Sequence, residues 1–229
     1  MAKGKIVIIT GANSGLGKAI ADIALKDDDA FIISLSRSLN KDHEGISKKK
    51  LAFIKTDLSK KFSEKFLSTV NKNLTPESVL YFFSNAGIVL PISKVGEFEK
   101  DETATSINVN IHYPVNLVNL LLKKITANKI TLVNISSGAG INPVAHWSLY
   151  CASKAFMKMF FKVLAEENKE NDRLEFYDID PGVMDTVMQQ NIREHVFPRQ
   201  RHFTSLKQEG NLQQPEQAAS KILAQVKYN

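Results

Sequence analysis

Six short runs of apolar residues, rich in Val, Ile and Phe, recur along the chain. Each run has the length of a β-strand and is almost continuously apolar, which is typical of strands buried on both faces of a parallel sheet. The pattern therefore predicts strands at 5–9, 30–35, 51–54, 79–83, 130–135 and 174–179.

Segments with a helical spacing of apolar residues separate these strands. They predict helices at 16–26, 59–73, 104–125, 149–168 and 215–226, the last with Pro215 in its first turn. Strands that alternate with helices indicate βαβ units, which right-handed crossovers assemble into a doubly wound α/β fold: a parallel sheet with helices on both faces. Because ligands bind such sheets at the carboxyl ends of the strands, the chemistry is expected there.

Size, charge and cysteine content limit the classes of protein to which this chain can belong. The 229 residues, 43% of them hydrophobic, suit one domain spanning 1–229. The net charge of +6 is spread along the chain, and the only basic run, 48–50, is expected to be a solvated loop, so no nucleic-acid partner is predicted. The apolar segment 6–9 is too short for a signal peptide or a membrane span. The single cysteine, Cys151, forms no internal disulfide. We therefore expect a cytoplasmic protein with no membrane partner.

A glycine-rich turn follows the first predicted strand. Residues 10–17 read TGANSGLG and lead directly into a helix. Glycines let the backbone approach a pyrophosphate, and a helix N-terminus offers it unpaired N–H groups and partial positive charge. A plain tight turn is the alternative, but the position at the first strand of a βαβ unit favours dinucleotide binding. The residues expected to contact the cofactor are Gly11, Asn13, Ser14, Gly15, Leu16 and Gly17.

The end of the second predicted strand indicates which dinucleotide binds. An acidic residue there would bind the ribose hydroxyls of NAD, but the chain has none before Asp42. Arg37, with Ser36 and Ser38 as further donors, is suited to the 2′-phosphate of NADP. The predicted cofactor is therefore NADP(H); the alternative for Arg37 is an exposed surface side chain.

Three residues predict acid–base chemistry. Tyr150 and Lys154 lie four positions apart on a predicted helix, so they share one face. The nearby ammonium group is expected to favour the phenolate form of a tyrosine, whose ordinary pKa is about 10. Ser137, in a Ser-Ser-Gly turn after a strand, is positioned to polarise a substrate oxygen. Each residue alone is common in proteins of any function.

Together these features resemble the classical short-chain dehydrogenase/reductase family, whose fold is of the Rossmann type, over nearly the whole chain. The family's TGxxxGxG matches 10–17, its Asp-hydrophobic adenine pair matches Asp57 and Leu58, and its NNAG matches Ser84, Asn85, Ala86 and Gly87. Its active-site residues match Asn110, Ser137, Tyr150 and Lys154, and its PG turn and nicotinamide loop match Pro181, Gly182, Val183 and Thr186. Asn108 is a rival for the Asn position, although the spacing to Pro114 favours Asn110.

The resemblance implies a mechanism and a substrate class. In the family's scheme Ser137 holds a carbonyl oxygen, Tyr150 protonates it, and NADPH delivers hydride to the carbon. Lys154 would bind the nicotinamide ribose and favour ionised Tyr150, while Asn110 would hold a proton-relaying water. The loop after Gly182 looks most like the sepiapterin reductase and benzil reductase branch, which implies an aromatic diketone or a pterin-like ketone as substrate.

The substrate pocket is expected to involve residues 141–147 and a lid at 184–208. Trp147 either stacks on a flat substrate or packs against the lid. Three arginines have two alternative roles: they either bind an anionic group of the substrate or are simply solvated. They are Arg193, Arg199 and Arg201. Scattered histidines do not predict a metal site; they are His146, His195 and His202.

The chain departs from the family pattern at two places. Ser84 replaces the first Asn of NNAG, and the sequence ends directly after the 215–226 helix, where many relatives continue into an edge strand. The missing strand argues against the family's tetramer. A homodimer through the helices that start near Asn110 and Tyr150 is expected instead, with apolar surface from Leu117, Leu120 and Leu121.

The leading interpretation is an NADPH-dependent ketone or diketone reductase. One alternative is an alcohol dehydrogenase that works in the oxidative direction on the same residues. Another is a catalytically silent NADP(H)-sensing protein, which should have lost Tyr150 or Lys154. All four catalytic positions are present, which favours the enzyme.

Overall fold

Six parallel strands form the sheet of the computed structural model, which describes residues 4–228. The strands are β1 (Lys5–Thr10), β2 (Ala30–Ser36), β3 (Leu51–Lys55), β4 (Val79–Ser84), β5 (Lys129–Ile135) and β6 (Leu174–Ile179). They lie in the order β3-β2-β1-β4-β5-β6, and every neighbouring pair is parallel. The predicted strands and the doubly wound sheet are confirmed. Residues 1–3 and 229 of the predicted domain lie outside the described residues.

Helices cover both faces of this sheet. They are α1 (Gly15–Ala24), α2 (Phe66–Asn73), α3 (Lys100–Ile107), α4 (Tyr113–Lys124), α5 (Ser148–Glu167), α6 (Val187–Glu194), α7 (Gln200–Gln208) and α8 (Pro215–Gln225). The sequence pattern did not reveal α6 and α7, which build the segment expected to be a lid. Both are polar on average and only eight and nine residues long, so their few apolar positions, such as Ile192 and Phe203, lie in stretches too short to predict a helix.

Two predicted helices differ from those observed. The helix predicted at 59–73 starts at Phe66, because the Asp57 carboxylate accepts hydrogen bonds from the backbone N–H and the hydroxyl of Ser59 and holds a turn there. The helix predicted at 104–125 is divided into α3 and α4 by one π-helical turn at Asn108–His112, after which Pro114 lies in the first turn of α4.

Side chains of each central strand alternate between two apolar layers. In β1, Ile6 and Ile8 pack with α2, α4 and α5, whereas Val7 and Ile9 pack with α1 and α8. All four side chains are completely buried. Burial on both faces explains why the strand runs are continuously apolar in sequence.

The leucines predicted to offer a dimer surface are part of the core. Leu117, Leu120 and Leu121 of α4 are 0–6% exposed and pack against the sheet, so that prediction was wrong. Their apolar character reflects burial, because the face of α4 that carries them points toward the sheet. Exposed apolar side chains occur instead on α5, at Phe156, Met159 and Val163, which are 46%, 60% and 45% exposed.

The sheet ends at β6, as the sequence predicted. Within residues 4–228 no strand follows α8, so β6 has one neighbour, β5. No helix in this part of the chain is long and apolar enough to span a membrane.

Candidate active site

One cavity of about 840 Å³ opens at the carboxyl ends of the strands. Residues that follow all six strands line it, from Gly11 after β1 to Asp180 after β6. The strand order reverses direction between β1 and β4, and in open α/β sheets the crevice at this reversal is where ligands bind.

A set of hydrogen bonds ties the end of β1 to the end of β4. The Thr10 hydroxyl oxygen accepts hydrogen bonds from the backbone N–H groups of Asn85 and Ala86, each 3.0 Å long, and donates to the Phe83 carbonyl. The Asn85 side-chain amide donates to the Thr10 carbonyl at 2.9 Å. The two loops that flank the crevice are therefore fixed to each other.

The glycine-rich turn needs glycine at two positions for separate reasons. Gly11 has φ of +71°, a left-handed conformation that other residues rarely adopt. At Gly17 an added Cβ atom would lie 2.4 Å from the Gly11 carbonyl oxygen and 2.5 Å from the Asn85 amide nitrogen. The start of α1 thus packs directly on the end of β1.

The N-terminus of α1 is suited to an anion. Ser14, the residue before the helix, makes no capping hydrogen bond with its side chain, and no acidic residue lies in the first turn. Ser14, Gly15 and Leu16 line the cavity. Thr186 lies next to this turn, since its methyl carbon is 3.3 Å from where a Gly15 Cβ would stand. The cavity wall thus brings together the two segments that the sequence assigned to the pyrophosphate and the nicotinamide.

Arg37 and Asp57 mark the end of the cavity beside β2 and β3. The side chain of Arg37 is exposed on the cavity wall. Ser36, predicted to be a phosphate donor, is 4% exposed and its hydroxyl donates to the Ser38 carbonyl, so this donor is already used. Hydrogen bonds from Ser59 lower the pKa of Asp57, and the nearby positive charges of Lys60 and Arg37 lower it further.

Ser137, Tyr150 and Lys154 lie together on the opposite wall. Ser137 caps a short 3-10 turn after β5, while Tyr150 and Lys154 occupy adjacent turns of α5. The Lys154 ammonium donates a 2.6 Å hydrogen bond to the Ile135 carbonyl and stands 5.7 Å from the centre of the Tyr150 ring. The helical spacing therefore brings the two side chains together, as expected.

Burial controls the protonation of both side chains. Burial is the main reason that the pKa of Tyr150 is raised to about 12; the Asp180 charge acts in the same direction, while a hydrogen bond from the Ser137 side chain opposes it. Burial lowers the pKa of Lys154 to about 8, against the charges of Asp178 and Asp180, which raise it. Loss of water therefore dominates the pKa of Tyr150, and the expectation that Lys154 favours the phenolate stays a prediction.

The structure distinguishes the two candidate asparagines. The Asn108 side chain points away to the Ser59 carbonyl, whereas Asn110 lies behind Gly87, at 3.4 Å from the position of a Gly87 Cβ. The Asn110 amide forms two hydrogen bonds with Ile88, accepting from its N–H and donating to its carbonyl. Its side chain thus fixes the loop after β4.

The lid forms an aromatic wall over Trp147. The Trp147 ring stacks on Phe203 with centroids 5.2 Å apart and contacts Phe197 at 5.6 Å. It also meets the Tyr150 ring edge-on at 5.7 Å. Trp147 is 5% exposed, so of the two alternatives left open it packs against the lid.

Most residues singled out in the sequence line this one cavity. They are Gly11, Asn13, Ser14, Gly15, Leu16, Ser36, Arg37, Asp57, Leu58, Asn85, Ala86, Gly87, Ser137, Tyr150, Lys154, Pro181, Gly182, Val183 and Thr186. Gly17 and Asn110 pack immediately behind the wall. Val89, Leu90 and Asp180 line the cavity and were not anticipated. Asp180 could have been found, because it directly follows the end of a strand.

Among residues 4–228, no group of three or more His, Cys, Asp or Glu side chains could hold a metal ion.

Known proteins share both the sequence and the fold. The chain is 34% identical to a benzil reductase ((S)-benzoin forming) of Bacillus cereus, over 95% of this chain and 92% of that protein. It is 29% identical to sepiapterin reductase of Rattus norvegicus, over 96% of this chain and 90% of that protein. The crystal structure of the KRED1-Pglu enzyme superposes with a TM-score of 0.83 at 27% identity, covering 96% of this chain and 93% of that chain.

The sequence pattern that defines the short chain dehydrogenases extends through the sheet and into the lid. It matches residues 5–196, which include the glycine-rich turn, the Ser137–Tyr150–Lys154 cluster and all six strands. The chain belongs to the short chain dehydrogenase family.

Proposed function

We propose that this protein is an NADPH-dependent reductase that converts an aromatic diketone, or a related ketone, to the alcohol. The observation that carries the proposal is the convergence of Ser137, Tyr150 and Lys154 on a cavity that also contains the glycine-rich turn. The similarity to the benzil reductases supports the substrate class, as does the apolar wall of Trp147 and Phe203. We expect the enzyme to act in the cytoplasm.

The cavity fits a dinucleotide at both ends. The left-handed backbone of Gly11 and the close packing at Gly17 set the N-terminus of α1 on the cavity wall, where a pyrophosphate would be stabilised. Arg37 supplies the positive charge for a 2′-phosphate, and Asn13 and Ser14 lie beside it on the wall. When bound, NADPH supplies the hydride that reduces the carbonyl carbon.

The side chains handle the oxygen of that carbonyl. Ser137 would donate a hydrogen bond to it, and Tyr150 would transfer its phenolic proton to the oxygen as negative charge develops. The resulting phenolate would be stabilised by the Lys154 ammonium. Because burial keeps Tyr150 protonated at neutral pH, the substrate-free site is prepared for reduction; oxidation of an alcohol would need the phenolate first.

Tyr150→Phe tests the proton donor. The ring and its contact with Trp147 remain, but no proton can be transferred, so we expect kcat for benzil to fall about 10²- to 10⁴-fold. NADPH binding, measured by fluorescence titration, should stay unchanged. Tyr177→Phe, on β6, is the control and should keep full turnover. Normal turnover by Tyr150→Phe would refute the role of Tyr150.

Arg37→Asp tests the choice of cofactor. The substitution replaces a cation with an anion where the 2′-phosphate is proposed to bind, so the KM for NADPH should rise at least about tenfold. The KM for NADH should change little, because NADH carries no phosphate there. Steady-state kinetics with both cofactors measures the two values. Equal changes in both KM values would contradict phosphate recognition by Arg37.

Lys154→Met tests the energetic cost of a buried catalytic ammonium. Folding lowers the pKa of Lys154 from 10.5 to about 8, so burial costs the folded state about 3 kcal/mol below pH 8, and this cost disappears as the pH rises to 10.5. The free energy of unfolding of the native protein should therefore rise relative to that of Lys154→Met across this interval, in denaturant titrations without cofactor. Lys162→Met, which removes an exposed ammonium from the same helix, should show no such trend. A pH-independent difference for Lys154→Met would contradict the account.

We also propose a homodimer that pairs α5 with α5 of a second copy. Phe156, Met159 and Val163 lie three, four and seven positions apart on one face of α5 and are all exposed, which is unusual for three large apolar side chains. The leucines of α4 take no part, since they are buried in the chain.

Light scattering tests this assembly. The protein should have twice the 25.6 kDa mass of one chain, and Met159→Lys should reduce it to the mass of one chain by placing charge in the apolar face. Lys162→Ala on the same helix should remain dimeric. A single-chain mass for the native protein at micromolar concentration would contradict the proposal.

A further inference from the structure

Charge is distributed unevenly along the part of the cavity that would hold the substrate. Near the Ser137–Tyr150–Lys154 cluster the wall contains a carboxylate, Asp180. On the lid the wall contains Arg199 and His202. Apolar and aromatic side chains, among them Trp147 and Phe203, also line this part of the cavity.

Asp180 is fixed next to the proton donor. It directly follows β6, and one oxygen of its carboxylate accepts a 2.9 Å hydrogen bond from the Gly182 N–H. The other oxygen lies 3.4 Å from the position of a Gly138 Cβ, adjacent to Ser137. Its charge raises the pKa values of both Tyr150 and Lys154, which agrees with this proximity.

Arg199 differs from the other two arginines considered in the lid. It is the residue before α7, its side chain is exposed on the cavity wall, and it has no ion pair with any acid among residues 4–228. Arg193 has a buried guanidinium nitrogen without a hydrogen-bond partner, and Arg201 is exposed away from the cavity wall. One arginine of the three is therefore available to a bound substrate.

A continuous path of rings joins the two charged ends. Tyr150 and Trp147 have centroids 5.7 Å apart, Trp147 and Phe203 are 5.2 Å apart, and Phe203 and His202 are 5.3 Å apart. His202 and Arg199 are three positions apart at the start of α7, so they share one face of it. A flat substrate that reaches Tyr150 with its carbonyl would bring its far end to this pair.

We propose that the natural substrate is an aromatic ketone with an anionic group at the end remote from the reacting carbonyl, bound by Arg199 and His202, and that Asp180 rejects ketones with a carboxylate next to that carbonyl. The inference rests on the proposed reductase function. The Arg199 guanidinium can form charge-assisted hydrogen bonds with a carboxylate on the substrate, and a carboxylate close to Asp180 meets a like charge.

Matched substrates test the remote anion. The pair is benzil with a carboxylate in the para position and the methyl ester of the same compound. The native enzyme should prefer the carboxylate, and Arg199→Gln should lower kcat/KM for the carboxylate about tenfold while leaving the ester unchanged. Arg199→Lys should restore part of the preference. Arg201→Gln on the same helix is the control and should behave as the native enzyme does.

A second pair of substrates tests the role of Asp180. Phenylglyoxylate has its carboxylate directly beside the carbonyl, and its methyl ester is the neutral match. The native enzyme should reduce the ester much faster, and Asp180→Asn should raise the ratio of kcat/KM for the acid to that for the ester about tenfold. A ratio that does not change would overturn the exclusion by Asp180.

The possible results distinguish a failure of this inference from a failure of the proposed reductase function. If neither benzil nor any ester is reduced, the proposed function itself fails. If the esters are reduced but Arg199→Gln slows acid and ester equally, the remote anion site is wrong while the reductase stands. A rise in the KM for NADPH in Arg199→Gln, with the same substrate preference as the native enzyme, would place Arg199 in the cofactor site and also overturn the inference.

Discussion

The close approach of two strand ends organises the whole site. Thr10, the last residue of β1, makes two hydrogen bonds with Asn85 and one with Ala86 after β4, and Gly17 brings α1 to within a distance that no Cβ atom could occupy. This contact lies where the strand order reverses, so it fixes the crevice in which the cavity opens. The glycine-rich turn, the loop that contains Gly87 and the Asn110 side chain behind it are all held in position from there.

A second constraint is the removal of water from Tyr150 and Lys154. Both are less than a tenth exposed, and burial shifts each pKa toward the uncharged form. The fold therefore holds the uncharged phenol of Tyr150 beside Lys154, whose pKa is lowered by burial. Burying these two groups costs free energy, which the apolar clusters on the two faces of the sheet must offset. Such an arrangement has little value for stability alone, and it is what a site that donates a proton to a nascent alkoxide requires.

The sequence predicted the fold well because its strand signal is unusually clear. Strands β1, β2, β4 and β5 are buried on both faces, so their apolar runs are almost continuous, whereas the edge strands β3 and β6 are only partly buried. The glycine-rich turn and the Tyr150–Lys154 pair could also be recognised as cavity residues, since each depends on spacing within one short segment. Features that depend on distant contacts were missed: the π-turn before Tyr113, the inward face of Leu117, and the burial that dominates the pKa of Tyr150. The lid helices α6 and α7 are polar and pack through Ile192 and Phe203 in one apolar cluster with Trp147, which no local pattern shows.

The measurement that tests the account most directly is the loss of reduced-cofactor absorbance when the purified protein meets benzil with NADPH, and in parallel with NADH. We predict turnover to the hydroxyketone with a kcat/KM for NADPH well above that for NADH. Tight NADPH binding without reduction of benzil, sepiapterin or simple aryl ketones would contradict the reductase and favour a cofactor-sensing protein, and a preference for NADH would contradict the role of Arg37.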